Sequence, residues 1–358
     1  MARFVMAGGG TGGHVLPLIA VAVELRRRGH ESLFVGTREG MEARLAPEAG
    51  FRIEWIEIGG VKRVGVRKAA AAAWKLPASV ARCARLLRQF RPAAVFSLGG
   101  YVAGPMLAAA AMACVPVVAM EPNAAPGLTT KLSARFVDRA LVSWPETVSC
   151  FPRGRAEVTG TPIHAGFFSL PDPPRGEFTV LITGGSRGSR TLNRAFRESW
   201  PLFHGREVRF VHQCGRDAFD ELARGFRESG LRGEVTAFIA DMPAAFARAH
   251  LVVGRSGASA VAELAAAGKP SILVPFPFAA DGHQRKNAES LAAVGAARVI
   301  LDEEMSGRRL FDEVTAIAGD PAALARMGAA AKSQARPGAA ARAADILEGI
   351  ARRSGGQG

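Results

Sequence analysis

The chain has 358 residues, of which 48% are hydrophobic and 22% charged; the length points to two domains, and the composition excludes collagen-like, coiled-coil and disordered classes. Its 46 Lys and Arg against 32 Asp and Glu leave a net charge of +14, which calls for an acidic partner: nucleic acid, an anionic membrane or a phosphorylated substrate. Cys83, Cys114, Cys150 and Cys214 lie far apart with no metal-ligand spacing, which sets aside a zinc site and a disulfide framework and fits a reducing compartment.

From Arg3 the sequence alternates short apolar runs with amphipathic segments. It predicts a strand over 3–7, a helix over 15–28, a strand over 31–35, a helix over 39–49, a strand over 52–58 and a helical stretch over 67–89. The opening apolar run is too short for a signal peptide and reads as a strand entering a turn. Residues 92–120 carry no charge and are long enough to cross a bilayer. Glycines 99, 100 and 104 and prolines 105 and 116 nevertheless divide them into a strand (93–98), a turn, a helix opened by Pro105 and a strand (115–120), the pattern of a parallel sheet buried on both faces. The alternation stops near residue 160, where Thr161-Pro162 and then residues 171–176, PDPPRG, form the most linker-like stretch. A second series follows: a strand over 178–183, a helix from about Arg190, and strands near 207–212, 234–239, 250–253, 271–274 and 297–301. The expected fold is α/β, with two Rossmann-like doubly wound domains facing a cleft that is the default ligand site. The domains are 1–163 and 164–337, and a last helix over 338–356 can pack back on the first.

The basic excess belongs to the first domain: residues 1–165 hold 21 basic and 11 acidic residues, net +10, and the remainder 25 and 21, net +4. Residues 58–120 contain no acid, while Lys62, Arg63, Arg67, Lys68, Lys75, Arg82, Arg85, Arg88 and Arg91 crowd one stretch that also holds Trp74.

Three loops carry chemistry. Gly8-Gly9-Gly10-Thr11-Gly12-Gly13-His14 joins a strand to a helix, so its backbone can approach a ligand closely and its helix-start amides favour a negative or polar group. The spacing is not GxGxxG and no acid ends the second strand, so a nicotinamide dinucleotide fingerprint is not matched. His14 is the one side chain in the loop suited to moving protons near neutral pH. Gly184-Gly185-Ser186-Arg187-Gly188-Ser189-Arg190 repeats the device with hydroxyls and arginines, and a diphosphate suits it. In the segment 254–264, GRSGASAVAEL, Ser256 or a neighbour is expected to cap a helix on which Glu263 can accept two hydrogen bonds from ribose hydroxyls. Residues 275–278 (PFPF) and 281–288 (DGHQRKNA) gather polar groups fit for sugar hydroxyls.

The segments GGGTGGH (8–14), GGYVAGP (99–105), EPNAAPGLTTK (121–131), GGSRGSRTLN (184–193), FIADM (238–242), RSGASAVAELAAAGKP (255–270) and DGHQRKNA (281–288) run in order over essentially the whole chain. Together they resemble the signatures of the MurG family of peptidoglycan N-acetylglucosaminyltransferases. The resemblance implies a GT-B glycosyltransferase fold and inverting transfer of GlcNAc from UDP-GlcNAc to the C4 hydroxyl of undecaprenyl-diphosphate-MurNAc-pentapeptide. By position it implies that Thr11, Gly12, Gly13 and Asn123 contact donor sugar or acceptor, with His164 a further binding position. It places Ser186 on the diphosphate, the Ile239 backbone on uracil, Ala258, Ser259, Ala260, Val261, Ala262 and Glu263 along the donor site, and Gln284 on the sugar hydroxyls. The chain departs from the family at Met120-Glu121-Pro122-Asn123, where His-Glu-Gln-Asn is usual, at His164, where arginine is common, and by an extra glycine in the first loop.

An inverting displacement needs one general base and an offset for the leaving diphosphate. His14 is the expected base, with His283 and Glu121 as further candidates. No Asp-x-Asp occurs in the chain, so helix-start amides and nearby positive charge are expected in place of a tightly held metal, and no cofactor is implied. A lipid-linked acceptor gives the basic stretch a role as a docking face for the anionic cytoplasmic membrane surface, against the plainer reading of a solvated helix face. Nucleic acid has little support, with one tyrosine and no recognised motif. The alternatives are a glycosyltransferase using another lipid acceptor, a UDP-GlcNAc 2-epimerase and a non-enzymatic UDP-sugar sensor.

Overall fold

The computed structural model describes residues 1–355 except Thr11, 58–65, Tyr101 and Arg175; for 66–75, 128–129, 280 and 354–355 it describes the backbone alone. The chain divides into two compact units, residues 1–163 with 338–358, and residues 164–337.

The first unit runs β1 (Arg3–Ala7), α1 (Gly12–Arg27), β2 (Glu31–Gly36), α2 (Glu42–Glu48), β3 (Arg52–Trp55), α3 (Val66–Phe90), β4 (Ala94–Ser97), α4 (Ala103–Met112), β5 (Val117–Glu121), α5 (Leu128–Ser133), β6 (Arg139–Val142) and β7 (Ala156–Val158). Its seven strands are all parallel, in the order β3-β2-β1-β4-β5-β6-β7. Side chains alternate across β1: Val5 and Ala7 join one buried cluster with Leu86, Leu87 and Met106, while Phe4 and Met6 join another with Leu18, Val21 and Leu347. That is why β1 reads as a continuous apolar run instead of an alternating one. The uncharged stretch 92–120 is β4, α4 and β5, and α4 begins two residues before Pro105. Among the described residues no helix is long and apolar enough to cross a membrane.

The second unit runs β8 (Phe178–Thr183), α6 (Arg190–Phe203), β9 (Val208–Gln213), α7 (Phe219–Glu228), β10 (Arg232–Thr236), α8 (Met242–Arg248), β11 (Leu251–Gly254), α9 (Ala258–Ala267), β12 (Ser271–Leu273), α10 (His283–Ala293), β13 (Ala297–Val299), α11 (Gly307–Ala318) and α12 (Pro321–Ser333). Its six strands, again all parallel, follow the order β10-β9-β8-β11-β12-β13. The last helix, α13 (Ala339–Gly355), packs on α1 of the first unit. Arg28 fastens it there, bonding Asp345 at 2.6 Å and Glu348 at 3.3 Å.

Each sheet reverses its winding once, between β1 and β4 and between β8 and β11. In open α/β sheets a ligand binds beyond the carboxyl ends of the strands at such a switch point. The described residues of the loops that follow these four strands are 8–10, 98–100 with 102, 184–189 and 255–257, and all four loops overlap the glycine-bearing segments singled out above.

In α3 the apolar positions Cys83, Leu86, Leu87 and Phe90 fall at helical spacing and are buried, and Arg82, Arg85 and Arg88 face outward. The fold gives Arg82 an acid that its own stretch lacks, Glu54 of β3 at 3.5 Å. Lys62 and Arg63 lie outside the described residues, as do the side chains of Arg67, Lys68, Trp74 and Lys75.

Candidate active site

In the first unit, β1 delivers the chain into residues 8–10, and α1 begins directly at Gly12 and Gly13, with half-buried His14 in its first turn. Gly10 takes φ +92°, a backbone state that L side chains rarely adopt. The loop after β4 packs against this one: a methyl group on Gly100 would stand 2.7 Å from the Gly9 carbonyl oxygen. Thr11 lies outside the described residues.

At the end of β5, Glu121 takes a task other than proton transfer. Its buried carboxylate accepts hydrogen bonds from the Asn123 amide (3.1 Å), Asn123 Nδ2 (3.0 Å), the Gly127 amide (3.0 Å) and Thr130 Oγ1 (2.5 Å). Four donors occupy both oxygens, so Glu121 shapes the 121–130 turn and holds the Asn123 amide group, and it is set aside as a base. Met120 is buried in the sheet core, where its side chain serves packing.

His164 belongs to the second unit. It caps a 3-10 turn over Ala165–Ser169, its Nδ1 accepting from the Gly166 amide at 3.2 Å, and this turn packs on α8 and α9.

In the second unit, Ser189 caps α6, its hydroxyl accepting from the Leu192 amide at 3.3 Å, and half-buried Ser186 and exposed Arg187 stand in the loop before it. Ser256 does not cap α9. The cap position is Gly257, which supplies no side-chain acceptor, and the Ser256 hydroxyl instead donates to the Gln284 carbonyl at 2.7 Å. Asn287 Nδ2 returns a bond to the Ser256 carbonyl at 3.1 Å, so the start of α9 and the start of α10 are laced together. Gln284 Oε1 accepts from the Phe276 amide at 3.0 Å, which fixes its side-chain amide and turns its NH2 group to other acceptors.

Glu263 lies one and a half turns into α9. Its surface is only part-covered, yet the atoms packed round the carboxyl desolvate it enough to push its pKa up to about 8. Ile239 lies three residues past β10, and its amide is already engaged by Gln213 Oε1 at 2.8 Å.

The motifs did not disclose the residues that join these loops. Gln213, buried at the end of β9, donates to the Gly185 carbonyl at 2.8 Å while holding Ile239, so one side chain spans two loops. Arg255 Nη1 pairs with Asp302 at 2.5 Å and donates to the Val274 carbonyl at 3.0 Å, and Asp302 accepts from Thr191 at the start of α6 at 2.9 Å. Gln213 ends a strand of ordinary β composition, and nothing local in sequence marks its reach. Among the described residues no three His, Cys, Asp or Glu side chains gather as a metal-ligand set.

Two doubly wound units, each with glycine-bearing loops at its switch point, define a GT-B-type glycosyltransferase. The models of the glycosyltransferase family 28 N-terminal and C-terminal domains match residues 4–142 and 179–343. A UDP-N-acetylglucosamine–N-acetylmuramyl-(pentapeptide) pyrophosphoryl-undecaprenol N-acetylglucosamine transferase of Solibacter usitatus is 58% identical over 98% of this chain and 97% of its own length. The crystal structure of MurG from Acinetobacter baumannii covers 97% of this chain and 99% of its own, with TM-score 0.79 and 30% identity. A putative UDP-N-acetylglucosamine 2-epimerase from Listeria monocytogenes, at TM-score 0.69 and 12% identity over 96% of this chain and 94% of its own, shares the fold alone. The chain belongs to glycosyltransferase family 28, among the MurG transferases.

Proposed function

We propose that the chain transfers N-acetylglucosamine from UDP-N-acetylglucosamine to the C4 hydroxyl of MurNAc-pentapeptide undecaprenyl diphosphate, with inversion, in peptidoglycan synthesis. The observation that carries this reading is the 58% identity to the S. usitatus transferase over nearly the full length of both chains. The second unit holds the donor: the Ile239 carbonyl on uracil, Glu263 on the ribose hydroxyls, Ser186 and the helix-start amides of α6 and of Ala258–Ala260 in α9 on the diphosphate, and Gln284 on the sugar. Helix-start amides favour the charge that develops on the departing UDP, and in this reading they serve in place of a tightly bound metal. The first unit supplies Gly12, Gly13 and Asn123 to the acceptor and His14 to take the proton of its hydroxyl. The assay offers UDP-GlcNAc with the lipid-diphosphate MurNAc-pentapeptide, with a diacylglycerol, or alone. Product with the first only is expected; turnover on the diacylglycerol, or epimerised donor without acceptor, overturns the reading.

The membrane part of the proposal is peripheral docking of the first unit on the anionic cytoplasmic face. Its support is the outward row of Arg85 and Arg88, together with Leu132 at 66% and Phe136 at 59% exposure beside Lys131 and Arg135. Basic residues near such a surface contribute ~1 kcal/mol each. Reversing Arg85 and Arg88 to Glu is expected to cut binding to phosphatidylglycerol vesicles at least tenfold at low salt, and unchanged sedimentation with those vesicles contradicts it.

A further inference from the structure

We infer that Glu42 is a positioning residue for the reaction, acting on the first glycine loop from beneath. Glu42 stands at the start of α2 and is fully buried. Its carboxylate accepts from the Gly10 amide at 2.8 Å, from the Thr37 amide at 2.9 Å and from Thr37 Oγ1 at 3.0 Å. The side chain runs through a channel that exists because three residues lack a side chain: a methyl group on Gly9, Gly36 or Gly40 would collide with it. A buried charge held by three donors is a costly feature to retain for stability alone. What it secures here is the conformation at Gly10, where φ is +92°, two residues before α1 opens and four before His14.

Glu42 reaches the chemistry only through that loop. It ties residue 10 to the end of β2 and so fixes where Gly12, Gly13 and His14 stand. It also occupies the Gly10 amide with a negative group, so the loop presents itself to a hydroxyl-bearing ligand better than to a phosphate. Misplacement of a reacting group by about 1 Å can cost ~100-fold in rate, which sets the scale of the loss expected when this tie is cut.

The inference rests on the assignment of His14 as base, and the experiment separates the two. Glu42→Gln keeps the volume but turns an N–H2 toward a backbone N–H, and its kcat is expected to fall at least ~30-fold with the donor KM within twofold of wild type. The double variant Glu42→Gln with His14→Ala should turn over within twofold of His14→Ala alone, because both act on one step. Should Glu42→Gln not fold, Gly40→Ala, which drives a methyl group onto the same carboxylate from outside the loop, is expected to show the same split. A kcat within threefold of wild type in the folded variants, losses that multiply in the double variant, or a loss that follows the unfolded fraction seen by circular dichroism overturns the inference. Undiminished turnover by His14→Ala overturns the base assignment instead, and Glu42 is then judged on the single variants.

Discussion

Replacing Glu263 by Ala is expected to weaken UDP-GlcNAc binding by ~100-fold or more, since hydrogen bonds to a charged group contribute roughly 1.5–3 kcal/mol each and two ribose hydroxyls lose their acceptor. The wild-type protein should lose ~10- to ~150-fold toward a 2′-deoxyribose donor, the share of one hydroxyl at about 1.5–3 kcal/mol, and the variant should no longer tell the two donors apart by calorimetry. Equal losses of both donors on mutation would move Glu263 away from the ribose. The raised pKa adds a pH signature. With the carboxyl pKa near 8 in the unliganded protein, the group is protonated at pH 7, whereas two hydroxyl donors require the carboxylate, so binding must expel a proton. The apparent Kd should fall about tenfold between pH 7 and pH 9 and level off above that. Glu263→Gln should flatten this dependence. The same shift carries a stability consequence of opposite sign: the folded state holds the proton that the unfolded chain releases at its ordinary carboxylate pKa. The unliganded protein therefore loses stability as pH rises from about 4.5 to about 8, and donor binding restores it.

Replacing His14 by Ala is expected to reduce kcat by ~1,000-fold, the middle of the range for loss of a general base. The donor Kd should stay within twofold, because the proposed reading places the donor on the second unit. The pH dependence set by Glu263, which acts through donor binding, should persist in KM. Loss of donor affinity without loss of kcat would reassign His14 to binding, and retained kcat would pass the base role to His283, which opens α10.

The two α/β series were legible because the strands are buried on both faces: Phe4 and Met6 feed one side and Val5 and Ala7 the other, and the resulting unbroken apolar runs stand out between helices. Strands β6 and β7 escaped notice because they are short and β7 is only half-buried. The glycine loops were legible because they punctuate strand-to-helix junctions. Their supports were not. Glu42 reads in sequence as an ordinary acid at a helix start, and its role depends on Gly9, Gly36 and Gly40, which only the fold brings around it. Glu121 reads as a reactive carboxylate past a strand, and the donors that occupy it come from residues two to nine positions on. Ser256 reads as a cap because it precedes an apolar helix, yet its hydroxyl goes to Gln284, 28 residues later. Side chains that join distant loops leave no periodic mark, and the same holds for Arg82, whose acid partner Glu54 lies on a neighbouring strand.

Nuclear magnetic resonance of the disaccharide made from UDP-GlcNAc and the lipid-diphosphate MurNAc-pentapeptide tests the proposed single displacement most directly. A β-(1→4) linkage, shown by a large diaxial H1–H2 coupling on the new sugar, is the expected result. An α linkage would require a second displacement or a covalent intermediate and would contradict the assignment of one base in the first unit acting on a donor held by the second.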